Sequence, residues 1–289
     1  MSSFLKIDSG DLIQDGYNSS WRYSFPGSSA NFQDIVCAIQ SISLYNSEYN
    51  IDSVAFNNTS FKVEVPTAAT TQILSINLPD GYYSYTDINR EIQTALVNAG
   101  AYLIDANGDN VFYIQLTENS VYYSAQLDFS PTPTTLPTNF VRPAAGLYSI
   151  GGTGLPTTTR VPRLIIDNAN FGKLLGLSVA TYPAAPAIVA SSQLSNTIPQ
   201  IHPSSSYVVR CDLIRNNFVV SGDIVAAFDR GDAGIGQLIS YKPSQYAWID
   251  THNGNRASIT ISIYNQDDRR VHFRDTSVSI MLLLRPKKM

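Results

Sequence analysis

The clearest pattern of apolar and polar positions lies between residues 258 and 286. Ile259, Ile261 and Ile263 alternate with Ser258, Thr260 and Ser262, and a period of two marks a strand with one buried face. The polar turn NQDDRR follows. Val271 and Phe273 then flank His272, which predicts a short return strand with His272 turned to solvent. VSIMLLLR places Val278, Ile280, Leu282 and Leu284 on one face and Met281 and Leu283 on the other. A strand apolar on both faces and ended by Arg285-Pro286 belongs in the middle of a sheet.

The same alternation recurs along the chain. Trp21 to Phe25 is an aromatic strand ended by Pro26-Gly27. Asp34 to Tyr45 is longer; Ile35, Cys37 and Ile39 lose phase at Ser41 and resume as Ile42 and Leu44, which predicts a bulge. Phe61, Val63 and Val65 form a strand stopped by Pro66, and Ile73 to Leu78 another stopped by Pro79. Val111–Thr117, Val121–Phe129, Tyr207–Ile214, Ile224–Phe228 and Leu238–Tyr241 read likewise. One helix is expected. It starts at Ser84–Asp87, buries Ile88, Ile92, Ala95, Leu96 and Ala99, and stops at Gly100. Proline-rich stretches at 130–162 and 182–203 exclude central strands and read as functional surfaces or parts of an insertion. These elements make an all-β sandwich with an insertion.

Charged residues are 15% of the chain, well under the usual ~25%. Asn, Ser, Thr and Tyr take their place, and a neutral polar surface suits packing against protein neighbours. A net charge of -4 gives no electrostatic case for nucleic acid. The basic tail Arg285, Lys287, Lys288 reads as a solubilising terminus. Cys37 and Cys211 sit in apolar strands, either as buried thiols in a reducing compartment or as a cross-strand disulfide. MSSFLKIDSG lacks the apolar core of a signal peptide, and no run reaches the ~20 apolar residues of a membrane span. The expectation is synthesis in the cytosol, with the sequons at Asn18, Asn57 and Asn58 unused.

Catalytic chemistry is sought and not found. His202, His252 and His272 stand at no metal-ligand spacing. Asp105, Asn107 and Asp109 begin like a calcium loop, but Leu116 stands where the bidentate Glu is required, so NGD is an ordinary turn. GDAGIG and GGTG lack the ending of a phosphate loop, and there is no G-x-S-x-G elbow. Asp267-Asp268 is a solvated hairpin tip. No catalytic, cofactor-binding or metal-binding residue is therefore assigned, and no enzyme activity is expected. The surplus is in tyrosine: Tyr17, Tyr23, Tyr45, Tyr49, Tyr82, Tyr83, Tyr85, Tyr122 and Tyr123 among others. Large rings with polar tips favour interfaces, though about half are expected in strand cores.

WRYSFPGSSANFQDIVCAIQSISLYNSEYNI, FNNTSFKV, LPDGYYSYTDINREIQ, FGKLLGLSVATYP and IPQIHPSSSYVVRCDLI together resemble the penton-type minor capsid proteins of virophages and Polinton-like viruses, nearest the mavirus-like members. The resemblance runs over residues 20–286, on turn and packing residues. It implies a single jelly-roll sandwich with an inserted, loop-rich domain and one short helix. Residues 1–14 would be an N-terminal arm, 15–65 and 204–289 the jelly roll, and 66–203 the remaining strands plus the insertion. It further implies a homopentamer at the vertex of an icosahedral double-stranded-DNA virus or virophage, synthesised in the host cytoplasm. Its neighbours would be double-jelly-roll major capsid proteins. The rival reading is a carbohydrate- or receptor-binding β-sandwich module.

Overall fold

Alternation of the kind seen in SITISIY needs a second apolar layer to face. The structure, a computed structural model, shows where that layer comes from. It describes residues 3–287 apart from 69 and 203, so Lys288 of the basic tail lies outside the described residues. The chain forms two compact units, residues 1–49 with 204–289, and residues 50–203. In chain order the first unit contributes β1 (Ser3–Asp8), β2 (Ser20–Ser24), β3 (Ala30–Asn31) and β4 (Ile35–Tyr45). The inserted unit follows with β5 (Ser60–Pro66), β6 (Thr71–Asn77), α1 (Tyr85–Ala99), β7 (Leu103–Ile104), β8 (Asn110–Val111), β9 (Ile114–Asn119), β10 (Ser124–Phe129), β11 (Arg163–Ile166), α2 (Ala169–Leu175), β12 (Ala180–Tyr182) and β13 (Ser191–Leu194). The first unit resumes with β14 (Tyr207–Cys211), β15 (Ile224–Phe228), β16 (Leu238–Tyr241), β17 (Ile249–Asp250), β18 (Asn255–Arg256), β19 (Ser258–Asn265) and β20 (Val278–Pro286).

In the first unit two antiparallel sheets run β1-β20-β4-β16 and β15-β14-β19-β2. Counting only these eight strands along the chain, the orders are first-eighth-third-sixth and fifth-fourth-seventh-second. That is the connectivity of a jelly roll, with the inserted unit between the third and fourth strands. Ile280 and Leu282 of β20, Cys37, Ile39 and Ile42 of β4, and Ile259, Ile261 and Ile263 of β19 share one core with Trp21. Each such fully buried side chain contributes roughly 1.5–3 kcal/mol. β20 is central, as its two apolar faces require. Met281 pairs with Ser41 but Leu282 pairs with Ile39, leaving Gln40 as the extra residue. The bulge falls where the period-two pattern breaks, and it keeps both Ile39 and Ile42 inward.

In the inserted unit, α1 lies against β9 and β6. The Ser84 hydroxyl accepts from the Asp87 amide while the Asp87 carboxylate accepts from the Ser84 amide, a reciprocal cap. Gly100 ends the helix at φ 64°, and a Cβ there would stand 2.3 Å from the Ala145 carbonyl oxygen. β9 is the edge of the sheet β13-β10-β9, and Asn89 Oδ1 on α1 accepts the Leu116 amide at 2.9 Å. The helix thus satisfies a buried donor that the edge strand leaves open. The proline-rich stretch is pinned by Tyr148, fully buried, whose hydroxyl donates to the Pro66 carbonyl at 2.9 Å.

Four expectations are corrected. Residues 3–8, read as part of an arm, form β1 and pair along β20 from Ser3↔Leu284 to Asp8↔Ser279. Phe4 and Lys6 point outward while Leu5 and Ile7 are buried, an alternation too short to stand out in a polar terminus. The jelly roll's N-terminal part, expected to run to residue 65, stops at Tyr49, and β5 pairs with β6 and β11 inside the inserted unit. Period two identifies a strand but not the sheet it joins. A second helix, α2, is present although only α1 was expected, with Asn168 as its cap and Phe171 stacked on Phe61 at 4.5 Å. Finally, Val271, His272 and Phe273 are all buried, because the segment makes isolated bridges rather than a strand with one wet face.

Candidate functional site

The groups capable of chemistry are dispersed. In the inserted unit His202 stacks on the Tyr82 ring at 5.8 Å. In the jelly-roll unit His252 is exposed and His272 lies against Tyr17 at 5.3 Å. Among the described residues no three His, Cys, Asp or Glu side chains converge as a metal site. Asp105 Oδ1 accepts the amides of Asn107 and Asp109, so the calcium-like stretch closes its own turn. Asn265 Oδ1 accepts the amides of Asp267 and Arg269, and Asp268 pairs with Arg210, which stacks over Tyr264. The hairpin tip is structural.

Cys37 and Cys211 are free thiols buried in the sandwich core. Burial pushes the Cys37 thiol up to about 12 and raises Cys211 as well. Both are protonated and sheltered, hence poor nucleophiles. A groove in the jelly-roll unit is lined by residues 227–233 and 237–242. Its loop is tied to the end of β4, since Asn46 Nδ2 donates to the Ala233 carbonyl and the Gly236 amide to the Asn46 carbonyl. It carries Asp229, Asp232, Arg230 and Lys242, with no histidine or cysteine among the lining residues.

What remains is surface. Of the nine tyrosines singled out, Tyr85 is buried, and burial pushes its hydroxyl up to about 12. Tyr17 lies under Arg270 and Tyr49 under Arg274, while the Tyr83 hydroxyl donates to the Pro79 carbonyl. Tyr23 packs on Phe25, and Tyr82 on His202. Tyr45, Tyr122 and Tyr123 are exposed. In the jelly-roll unit the outward side of β1-β20-β4-β16 sets exposed Phe4 opposite Leu283, and exposed Leu238 opposite Tyr45. Phe218 and Val220, in the connection between β14 and β15, are fully exposed. Sequence reasoning missed these two, although an apolar run inside NNFVVSG, between turn residues, was a usable signal. Such surface can bury against another protein, and among the described residues it assembles no nucleophile, base and orienting group.

No family model matches the sequence, and no curated protein matches it. Among solved structures the chain is similar to the mavirus penton protein, with 9% identity and a TM-score of 0.43 over 98% of this chain and 98% of that one. It is also similar to a chain of the Sputnik virophage structure, with 12% identity and a TM-score of 0.42 over 99% and 98%.

Proposed function

We propose that this protein is a structural capsid protein of an icosahedral double-stranded-DNA virus or virophage, and that five copies form the vertex. The observation that carries the reading is the single eight-stranded jelly roll interrupted between its third and fourth strands. The turn and packing motifs spread over residues 20–286 agree with it, as does a surface poor in charge. In this reading the jelly-roll unit makes the shell and the inserted unit is carried by it. Fivefold closure uses a heterologous interface whose rotation completes a ring. The outward face carries exposed Phe4, Leu238 and Tyr45 among polar residues such as Lys6, Ser43 and Ser240, a mixture that suits such a contact. The surrounding partners are double-jelly-roll major capsid proteins, the site of action is the virion, and synthesis is in the host cytoplasm. The role is structural rather than enzymatic, with no cofactor.

The test is assembly. Phe4→Glu with Leu238→Glu places charge on exposed positions, so the monomer keeps its melting temperature while incorporation into shells is lost. Incorporation at the normal level would remove this face from the interface. Particles carrying the chain anywhere but the vertices would sink the reading.

A further inference from the structure

The sheet β13-β10-β9 of the inserted unit has one buried face, made by Ile114, Leu116, Ala125, Leu127 and Phe129. On its other face Asn119 Nδ2 donates to Gln126 Oε1 at 2.7 Å. Gln126 Nε2 donates to both oxygens of Asp128, at 3.0 and 3.1 Å. From β13, the Ser192 hydroxyl donates to Asp128 Oδ1 at 2.6 Å. Every bond of this ladder runs toward Asp128, so both amides are fixed in one orientation and the ladder spans three strands. An amide has two donors and a two-lone-pair acceptor, and a carboxylate has four acceptor sites. Capacity for further hydrogen bonds therefore remains on the open side.

At the hairpin end of the same strands Tyr122 and Tyr123 are each 67% exposed. Tyr123 holds φ 49°, a left-handed conformation uncommon for a bulky residue, and such strain collects at binding surfaces. The Tyr122 amide donates to Asn119 Oδ1 at 3.3 Å, which ties the aromatic turn to the ladder.

The chemistry of this face selects its occupant. A polyanion would need cations, and the ladder has one carboxylate and none. An added peptide strand would pair along an edge of the sheet rather than lie on this face, and on the β9 edge the Leu116 amide is already bonded to Asn89. A saccharide fits both halves, because its hydroxyls donate and accept together and its C–H face packs on an exposed aromatic ring. We propose that this face binds a neutral, hydroxyl-rich glycan. Gln126, Asp128 and Asn119 hydrogen-bond its hydroxyls and Tyr122 stacks on a sugar ring. The inference concerns the inserted unit and stands whether or not the chain forms a vertex.

The experiment applies the full chain to a printed array of neutral and acidic oligosaccharides, then titrates the best neutral binder at low and high salt. Retention of a neutral oligosaccharide with salt-independent affinity is expected. Asp128→Asn keeps the shape but removes the charge, and it weakens binding by about tenfold or more. Tyr122→Ala, in an exposed turn, weakens it comparably while the melting temperature stays unchanged. An array with no retained neutral saccharide would overturn the proposal, as would binding confined to acidic glycans and lost in salt. Equal affinity in both variants would overturn it too.

Discussion

The two units of this chain solve the same problem by different means. In the jelly-roll unit the strands come from distant parts of the sequence, with Ser3 paired to Leu284, and apolar alternation does most of the organising. In the inserted unit many pairs join neighbours in sequence, as β5 with β6, β7 with β8, and β9 with β10. Here buried polar contacts complete the structure. Asn89 satisfies an edge strand, Tyr148 anchors a proline-rich stretch, and Arg163 grips Glu64 through two bonds at 2.8 and 2.9 Å. The sandwich buries polar groups too, but at strand ends and loops, where Asn46 Nδ2 donates to the Ala233 carbonyl and the Ser204 hydroxyl to Glu48 Oε1. An insertion holding long irregular segments must supply partners for their backbone groups.

Both cysteines and both tryptophans lie in the jelly-roll unit, so thiol reactivity and tryptophan fluorescence report on that unit alone. The largest expected effects separate the units. Ile261→Ala should cost about 2–5 kcal/mol and Phe171→Ala about 3–5 kcal/mol. Cys37 and Cys211 should gain thiol reactivity in the first variant and stay protected in the second, read by pulsed labelling. Equal labelling in both would mean that the units open together, and the comparison would fail. Next comes Asn89→Ala, which leaves the Leu116 amide buried without its acceptor at a cost of about 1–3 kcal/mol. Hydrogen exchange should accelerate along β9 and leave β19 untouched. Ser84→Ala removes half of the reciprocal cap and should cost about 1 kcal/mol, seen as fraying of the first turn of α1.

The smallest effect is acid dependence. The Ser84 hydroxyl and amide, with Arg90, hold the Asp87 carboxyl below its ordinary value. In the other unit burial pushes Asp15 up, but hydrogen bonds from Arg270 and the Tyr17 amide outweigh it, so its net shift is downward. A depressed folded-state pKa stabilises fully above the unfolded value, and that contribution disappears as pH falls through the lowered one. Stability of both units should therefore fall on the acid side. Asp87→Asn should flatten the acid response of α1 exchange while thiol protection in the sandwich keeps its own.

Much of this was legible from residue patterns. The repeating isoleucines of β19, the broken phase of β4 and the cap and stop of α1 each state their own local geometry. Elements defined by their partners were harder to see. β13 is Ser-Ser-Gln-Leu and exists because β10 offers it an edge. β5 has the alternation of a sandwich strand yet belongs to the insertion. His272 lies between two apolar residues in a segment where alternation does not apply, since it forms no continuous strand. The polar ladder was invisible for the same reason. From the sequence Asn119 reads as part of a turn and Ser192 as part of a loose stretch, so nothing joins them to Gln126 and Asp128 until the register sets β13 beside β10.

The most direct test of the vertex reading is the solution mass of the purified chain by sedimentation over a concentration series, with negative-stain images of the oligomer. The account predicts a ring with five times the 31.7 kDa mass of one chain. A stable particle of three copies would contradict it.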